Sequence, residues 1–219
     1  MKGAERRRAG RGESSAWPKG LGRVVGQLRP LHRRLCPRQV LGARIGLIAG
    51  EVLQIELPRR DRRLLAIVES DGCFADGVAE ATGCRVGRRT LRVVDHGKVA
   101  ATFVDTRTGT AIRVLPRLDA RYRAWTYAPG ATTRWRAQLK GYAAMPAAEL
   151  LRWSAVELAL PHEAALAYQT AHVDCSVCGE EIINGREVIV QGRPVCRSCA
   201  GDSYLRPVNG SAPHSTRQP

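Results

Sequence analysis

Long apolar runs are missing from this chain of 219 residues. The first twenty residues are basic and polar, and no apolar run follows them that could form a signal-peptide core or a membrane span. We therefore expect a cytoplasmic protein. Arg6, Arg7 and Arg8 form the densest charge cluster of the chain, so residues 1–20 are expected to be a disordered basic tail.

A secreted disulfide framework is also absent, because the seven cysteines are odd in number and four of them form two CxxC pairs. Such pairs are typical of metal ligation and free thiols in a reducing compartment.

Lysine is scarce, with four lysines among the thirty-five basic residues. The net charge of +15 is compatible with nucleic-acid binding, since cations gain affinity by releasing counterions from phosphate. The arginines are nevertheless dispersed through a chain rich in Ala and Gly, as a G+C-rich coding sequence would produce. Compositional bias is therefore the favoured explanation, and a nucleic-acid partner is the less favoured one.

The length allows one sizeable core and a small satellite module. We expect an α+β fold in which an antiparallel sheet packs with helices, followed by a small C-terminal zinc-finger module. The expected order is the basic tail, a core domain at 21–120, a helical connector at 121–172, a four-cysteine finger at 173–206 and a disordered tail at 207–219.

The finger is indicated by the spacing of the last four cysteines. Two CxxC pairs separated by seventeen residues can direct four thiolates at one tetrahedral ion, which predicts one structural Zn²⁺. Residues 187–190 and 193–196 can pair as a hairpin across Gln191-Gly192. A structural or protein-binding role is favoured over nucleic-acid binding, because the finger has no interleaved aromatic side chains to stack on bases. This four-cysteine cluster consists of Cys175, Cys178, Cys196 and Cys199.

Helix signals open the core domain. Pro37 suits the first position of a helix and leaves Cys36 at its N-cap. Apolar residues recur at helical spacing after it, and a second stripe of glycines predicts close approach of another backbone. This glycine stripe consists of Gly42, Gly46 and Gly50.

A buried strand at 64–69 and a helix at 74–82 follow, with Gly83 as the helix C-cap and Cys73 and Cys84 on either side. Apolar and polar residues then alternate at 90–95, 98–105 and 110–115, which predicts an antiparallel meander with turns at 96–97 and 106–109. Residues 116–142 show no clean period. Two helices are expected next, one from Pro146 with apolar residues as far as Leu158, and one from Pro161.

Three motifs in residues 31–115 resemble those of the formylmethanofuran dehydrogenase FmdE family. The family motif His-Gly-His-x-Cys-Pro-Gly stands here as residues 32–38, Asp-x-Cys-x-x-Asp as residues 71–76, and Thr-Gly-Cys-Thr-x-Gly-Lys as residues 82–88. Many members of that family also carry a C-terminal four-cysteine finger. The resemblance implies an accessory metal-binding protein linked to one-carbon or molybdenum-enzyme metabolism.

Arginines stand at several positions of these motifs where the family has another residue. Arg34 stands at the second histidine, Arg38 at a glycine and Arg85 at a threonine. Arginine is permanently protonated and is all but excluded as a metal ligand. The sequence therefore leaves two interpretations open, an anion in this pocket or a metal held by fewer ligands.

Cys36 is the candidate nucleophile, redox thiol or metal ligand of the core pocket, because a helix N-terminus favours thiolate. His32 would be its base or co-ligand, and Arg34 an anion clamp. Asp76 could orient His32 or simply cap the short helix.

Cys73 and Cys84 complete the candidate pocket, in which a second metal would sit. The alternative for each cysteine is packing, since free cysteine often behaves as a small hydrophobe. We recognise no molybdopterin-binding domain in this chain. The sequence therefore does not decide whether the protein is an enzyme or an accessory protein of one. We further expect a homodimer or a component of a larger complex, with no membrane contact.

Overall fold

A computed structural model describes residues 17–159, 172–206 and 208. The chain divides into two compact units, residues 1–166 and 167–219. The expected helix from Pro161 and most of the two expected tails lie outside the described residues. Within the described ranges, none of the helices has the length and apolar character that a bilayer crossing needs.

A five-stranded sheet forms the centre of the first unit, with strand order β2-β1-β3-β4-β5. β1 and β2 are parallel, and the other neighbours are antiparallel. Helices cover this sheet, so the expected α+β class is confirmed. The strands are β1 (Leu64–Val68), β2 (Leu91–Val93), β3 (Ala101–Asp105), β4 (Ala111–Pro116) and β5 (Leu151–Val156).

The predicted meander is wrong in its first step, because β1 lies between β2 and β3. The segment 96–97 is not a hairpin turn between paired strands. Instead, the backbone N–H groups of His96 and Lys98 each donate to the carbonyl of Glu69 at 3.0 Å. The alternating pattern predicted that these strands exist, but β1 is buried almost throughout and takes a partner on both sides.

In the described residues, six α-helices precede or connect these strands. α2 begins as predicted, with Cys36 in extended conformation at the N-cap (φ −113°, ψ 153°) and Pro37 at the first helical position. Residues 116–142, which show no clean period, contain α4 and most of α5. The helices are α1 (Leu21–Leu28), α2 (Pro37–Leu53), α3 (Cys73–Thr82), α4 (Ala120–Arg123), α5 (Arg134–Ala144) and α6 (Ala147–Leu150).

Gly42 and Gly46 of the glycine stripe lie against α3, so the predicted close approach of another backbone is present, while Gly50 lies against Ile55 and Leu57 in the segment after α2. A Cβ atom added to Gly42 would overlap the carbonyl oxygen of Phe74, and one added to Gly46 would lie 2.7 Å from the Cβ of Ala81. On α3, Gly77 approaches the backbone of α2 just as closely. Because the contacts advance along both helices together, α2 and α3 run in the same direction and their N-termini lie side by side.

α5 is attached to α2 by a buried arginine. The Arg44 guanidinium donates to the carbonyl oxygens of Tyr142 at 2.8 Å and Ala143 at 3.2 Å, in the last turn of α5. Burial removes water from this cation and lowers its pKa to about 10. These two hydrogen bonds satisfy carbonyl groups that a helix end leaves without partners.

The helix expected from Pro146 to Leu158 is largely wrong. Only α6 is helical, and Leu151–Val156 forms β5, the edge strand beside β4. Residues 152–155 are exposed, so β5 lacks the alternating pattern from which a strand could be predicted. Its backbone hydrogen bonds to β4 determine its conformation, and such pairing is invisible to local spacing.

Candidate functional sites

The four-cysteine cluster is built from two turns in the second unit. β6 (His172–Asp174) leads into the first, where Gly179 has φ +76° and donates its N–H to the Cys175 carbonyl at 2.9 Å. The second follows β9 (Arg193–Val195), where the N–H of Ala200 donates to the Cys196 carbonyl at 2.9 Å. Each turn therefore presents both thiols of one CxxC pair on the same side.

The geometry of this cluster fits a tetrahedral metal. Its four sulfur atoms all lie within 4.8 Å of one another, and the Sγ atoms of Cys178 and Cys196 are 3.9 Å apart. Four thiolates around zinc, with Zn–S bonds of about 2.3 Å, would be separated by about 3.8 Å. Of the described residues, these form the only group of three or more His, Cys, Asp or Glu this close together.

Two thiols of the cluster have strongly shifted pKa values. Burial raises the pKa of Cys175, but hydrogen bonds from the backbone N–H groups of Cys178, Cys196 and Val177 outweigh burial and lower it to about 6. Burial and the neighbouring thiols raise the pKa of Cys199 to about 12. Four adjacent thiols cannot all ionise without a cation, and a bound metal supplies that cation.

Little else holds the finger together. Ile182 on β7 (Glu181–Ile183) and Val195 on β9 are its buried aliphatic side chains among the described residues, and both pack on the cysteines. The predicted hairpin is confirmed, with β8 (Val188–Val190) paired to β9. His172, which could in principle replace a cysteine ligand, is exposed and pairs with Glu181 at 3.2 Å.

In the first unit, the parallel packing of α2 and α3 brings Cys36 and Cys73 together. Both thiols are partly buried. Burial raises the pKa of Cys73, and the neighbouring Cys36 thiol and the negative charge of Asp76 raise it further. The two cysteines therefore form a thiol pair at the positive ends of two helix dipoles.

His32 and Asp76 form a second pair beside the thiols. The His32 Nε2 atom lies 2.8 Å from Oδ2 of Asp76, so the predicted contact between them is present. A carboxylate on one ring nitrogen fixes the tautomer and leaves the other nitrogen to act as a base or a ligand.

Cys84 lies apart from these two pairs. It follows the C-terminus of α3, while Cys73 begins that helix, and ten residues of helix span about 15 Å. Cys84 is 2 % exposed, and its thiol donates to the Leu64 carbonyl at 3.4 Å. Burial raises its pKa. We therefore describe the core pocket as His32, Cys36, Cys73 and Asp76.

Arg34 is exposed, and its guanidinium stacks 5.9 Å from the ring centre of Trp135 on α5. This cation–π contact positions the arginine that replaces the family histidine. Arg85 holds the far end of α3, where it donates to the Ala79 carbonyl at 2.6 Å and pairs with Glu80 at 2.7 Å.

Gln39 is a residue that the motifs did not single out. Its Oε1 accepts the backbone N–H of Cys36 at 2.8 Å, and its Nε2 is the only buried side-chain nitrogen or oxygen of the described residues without a hydrogen-bond partner. Its position three residues after the N-cap is the capping-box spacing, which could have identified it. An unpaired donor next to Cys36 favours an acceptor in the pocket, such as a thiolate.

Two families match separate parts of the chain. Residues 31–159 match the family described as FmdE, molybdenum formylmethanofuran dehydrogenase operon. Residues 168–205 match the prokaryotic dksA/traR C4-type zinc finger.

The chain is similar to a curated protein and to a solved structure, among other solved chains. A probable S-adenosyl-L-methionine-binding protein of Archaeoglobus fulgidus is 37% identical over 97 residues, which is 43% of this chain and 26% of that protein. The chain thus spans about a quarter of that relative. A tungsten formylmethanofuran dehydrogenase FmdE-like protein from Syntrophus aciditrophicus shares the fold, with a TM-score of 0.54, 22% identity, and coverage of 85% of this chain and 95% of that one.

Proposed function

The chain belongs to the FmdE family, and from that membership we propose a metal-binding accessory protein whose core pocket and C4 zinc finger each hold one metal ion. In this proposal the finger metal is structural Zn²⁺ and the core metal is the functional one. A link to one-carbon or molybdenum-enzyme metabolism is supported by the description of the family, which names the molybdenum formylmethanofuran dehydrogenase operon.

The observation that carries the proposal is the meeting of Cys36 and Cys73, which are distant in sequence, at the N-termini of two helices. A pair of neighbouring thiols at this position loses a proton more readily when a cation is present. Such a pair can supply two ligands to a soft or borderline metal.

His32 provides the third donor. Two thiolates and one imidazole suit zinc, and three protein ligands leave a coordination position open, as in catalytic rather than structural sites. Asp76 would orient His32 from the outer shell. His32 lies on the segment between a short 3₁₀-helix (Arg29–Leu31) and α2, and this segment would carry the imidazole toward the thiols.

A nucleic-acid or transcription-complex binder that uses the finger and the basic tail is the alternative. The described part of the finger offers Arg186, Arg193 and Arg197 as cations but only one aromatic side chain, Tyr204, for base stacking. A structural or protein-contacting finger has more support. That the protein is cytoplasmic remains a prediction. It is also predicted to be a homodimer or a component of a complex, and light scattering of the purified chain would test the homodimer.

Titration of the core pocket with zinc tests the proposal. Calorimetry on protein whose finger is already loaded should show one further zinc equivalent. Cys36→Ser and Cys73→Ser should each abolish this binding, while Cys84→Ser should leave it unchanged, since the serine hydroxyl can keep the hydrogen bond to the Leu64 carbonyl. If the Cys84 variant loses as much affinity as the other two, the effect reflects folding and the proposed ligand set is wrong.

Arg34→His is the variant most specific to this chain. It restores the family residue, removes a fixed positive charge beside the pocket and adds a donor, so zinc should bind more tightly. His32 and Cys36 should be required for this gain. Equal affinity in the two proteins would place position 34 outside the coordination sphere.

A further inference from the structure

A cavity of about 340 Å³ lies in the first unit between the first turn of α2, the segment that follows β4, and helices α4 and α5. It is distinct from the core pocket, although Pro37, which lines it, directly follows Cys36. Its size is that of a small-molecule site at the lower end of the usual range.

Four arginines line this cavity, and no carboxylate does. We name Arg38, Arg117, Arg121 and Arg134 the arginine cavity cluster. Arg117 is 4.0 Å from Asp119, and no carboxylate of the described residues forms an ion pair with the other three.

Some arginines elsewhere in the described part of this unit have a carboxylate partner close by, and others have none. Arg63 pairs with Asp105 at 2.9 Å, and Arg123 pairs with Asp119 at 2.6 Å. Four like charges around one concavity raise the local positive potential, which attracts an anion. The distribution of charge therefore points to a negatively charged occupant.

The four arginines are exposed to solvent, whereas Tyr142, which also lines the cavity, is buried. Tyr142 is 4 % exposed and lies close to Arg121, while its backbone carbonyl is held by the buried Arg44. The N-terminus of α2, a helix of seventeen residues, adds its positive dipole end at Pro37. Guanidinium groups bind phosphate oxygens in a bidentate manner, and several converge where the ligand carries more than one charge.

The remaining walls are partly apolar. Leu41 and Val99 line the same cavity, so an organic group can lie beside the charged part of the ligand. The exposed aromatic side chains Tyr122, Trp125 and Trp135 are not among the lining residues, and a nucleic-acid strand would need them as stacking platforms. We propose that this cavity binds a small organic phosphate or pyrophosphate ester through the arginine cavity cluster.

Calorimetric titration of the full, zinc-loaded chain tests this inference with two probes, inorganic pyrophosphate and ribose 5-phosphate. Both should bind with one-to-one stoichiometry and compete with each other. Arg38→Gln and Arg134→Gln should each weaken binding at least about tenfold, because each removes a charge-assisted pair of hydrogen bonds. Arg136→Gln is the matched control, since it removes the same charge from α5 outside the cavity and should change the affinity less than about twofold.

Each contrary result identifies a different error. Equal losses in Arg134→Gln and Arg136→Gln would show that the anion senses only the overall positive charge, and the site would be refuted. Binding of pyrophosphate without ribose 5-phosphate would refute an organic ligand. A single-stranded oligonucleotide that binds while neither probe competes would assign the surface to nucleic acid instead. Zinc uptake by Cys36 and Cys73 is measured separately, so failure here leaves the proposed metal site standing.

Discussion

Replacement of Gly42 by alanine tests the contact on which the core pocket depends. A Cβ at this position would overlap the Phe74 carbonyl oxygen and lie 3.1 Å from the Val78 nitrogen and 3.2 Å from the Gly77 Cα. All three are backbone atoms of α3, so no side chain can rotate to make room. The whole helix must move outward by on the order of 1 Å to restore normal contact distances.

Two opposing effects set the size of the change. Alanine is a better helix former than glycine by about 1 kcal/mol. Overpacking costs about 1–3 kcal/mol, and the upper end applies here because two rigid backbones meet. The net loss in free energy of unfolding is therefore about 2 kcal/mol, which corresponds to a urea midpoint lower by about 1 M for an m-value of about 2 kcal/mol per M.

Tryptophan fluorescence during urea unfolding measures this change in the first unit alone, because all four tryptophans lie within residues 17–153. The matched control is Gly26→Ala in α1, where an added Cβ meets nothing within 4 Å. That variant should be more stable than the original protein by about 0.5–1 kcal/mol.

The Gly42→Ala variant should also bind the second zinc equivalent more weakly, since displacement of α3 separates Cys73 from Cys36. If the two glycine variants have the same stability, α2 and α3 do not meet along the glycine stripe. The juxtaposition of the two thiols would then lose its structural basis.

Three further predictions concern the finger, the thiols and one ion pair. Purified protein should contain one zinc on the four-cysteine cluster, and chelation should unfold the finger without changing the tryptophan fluorescence of the first unit; four freely titrating thiols in the native protein would contradict this. Alkylation at mildly acidic pH, followed by mass spectrometry, should modify Cys36 before Cys73 and Cys84, whose pKa values are raised; equal slow reaction of all three until denaturation would indicate packing roles only. The Arg113 guanidinium, 2.5 Å and 2.7 Å from the two Glu69 oxygens, lowers the pKa of that carboxyl below its usual 4.5. The pair therefore stabilises the fold fully above pH 4.5, and this stabilisation is lost as the pH falls through the lowered pKa. Glu69→Gln should lower the free energy of unfolding by about 1–3 kcal/mol at pH 7, and by progressively less as the pH falls through that pKa. A loss that does not change with pH would refute this assignment.

Features that depend on neighbours in sequence were predictable. The CxxC spacing identified the finger, because four thiols on two tight turns can converge in few ways. Pro37 and Cys36 marked the start of α2, and the glycine stripe indicated that another backbone would approach it. Each of these rests on fixed local geometry, such as the 3.6-residue period of a helix.

Strand partners were not predictable from local spacing. Alternation at residues 90–95 and 98–105 indicates two strands. The same pattern is expected whether these strands pair with each other or lie on either side of a third strand. The choice depends on β1, whose burial on both faces is a property of the assembled sheet. For the same reason local spacing favours a helix where β5 forms, since the exposed residues of this strand carry no pattern of their own.

Tertiary structure also decided which chemical groups meet. The motifs placed Cys73 and Cys84 together in one candidate pocket, but a helix of ten residues holds them at opposite ends. The close packing of α2 and α3 brings Cys36 to Cys73, and the folding of residues 117–142 against α2 gathers four arginines around one cavity. Sequence by itself determined the residue types available for binding. Long-range packing determined which of these residues lie next to each other, because no local sequence pattern specifies the distances between separate helices and strands.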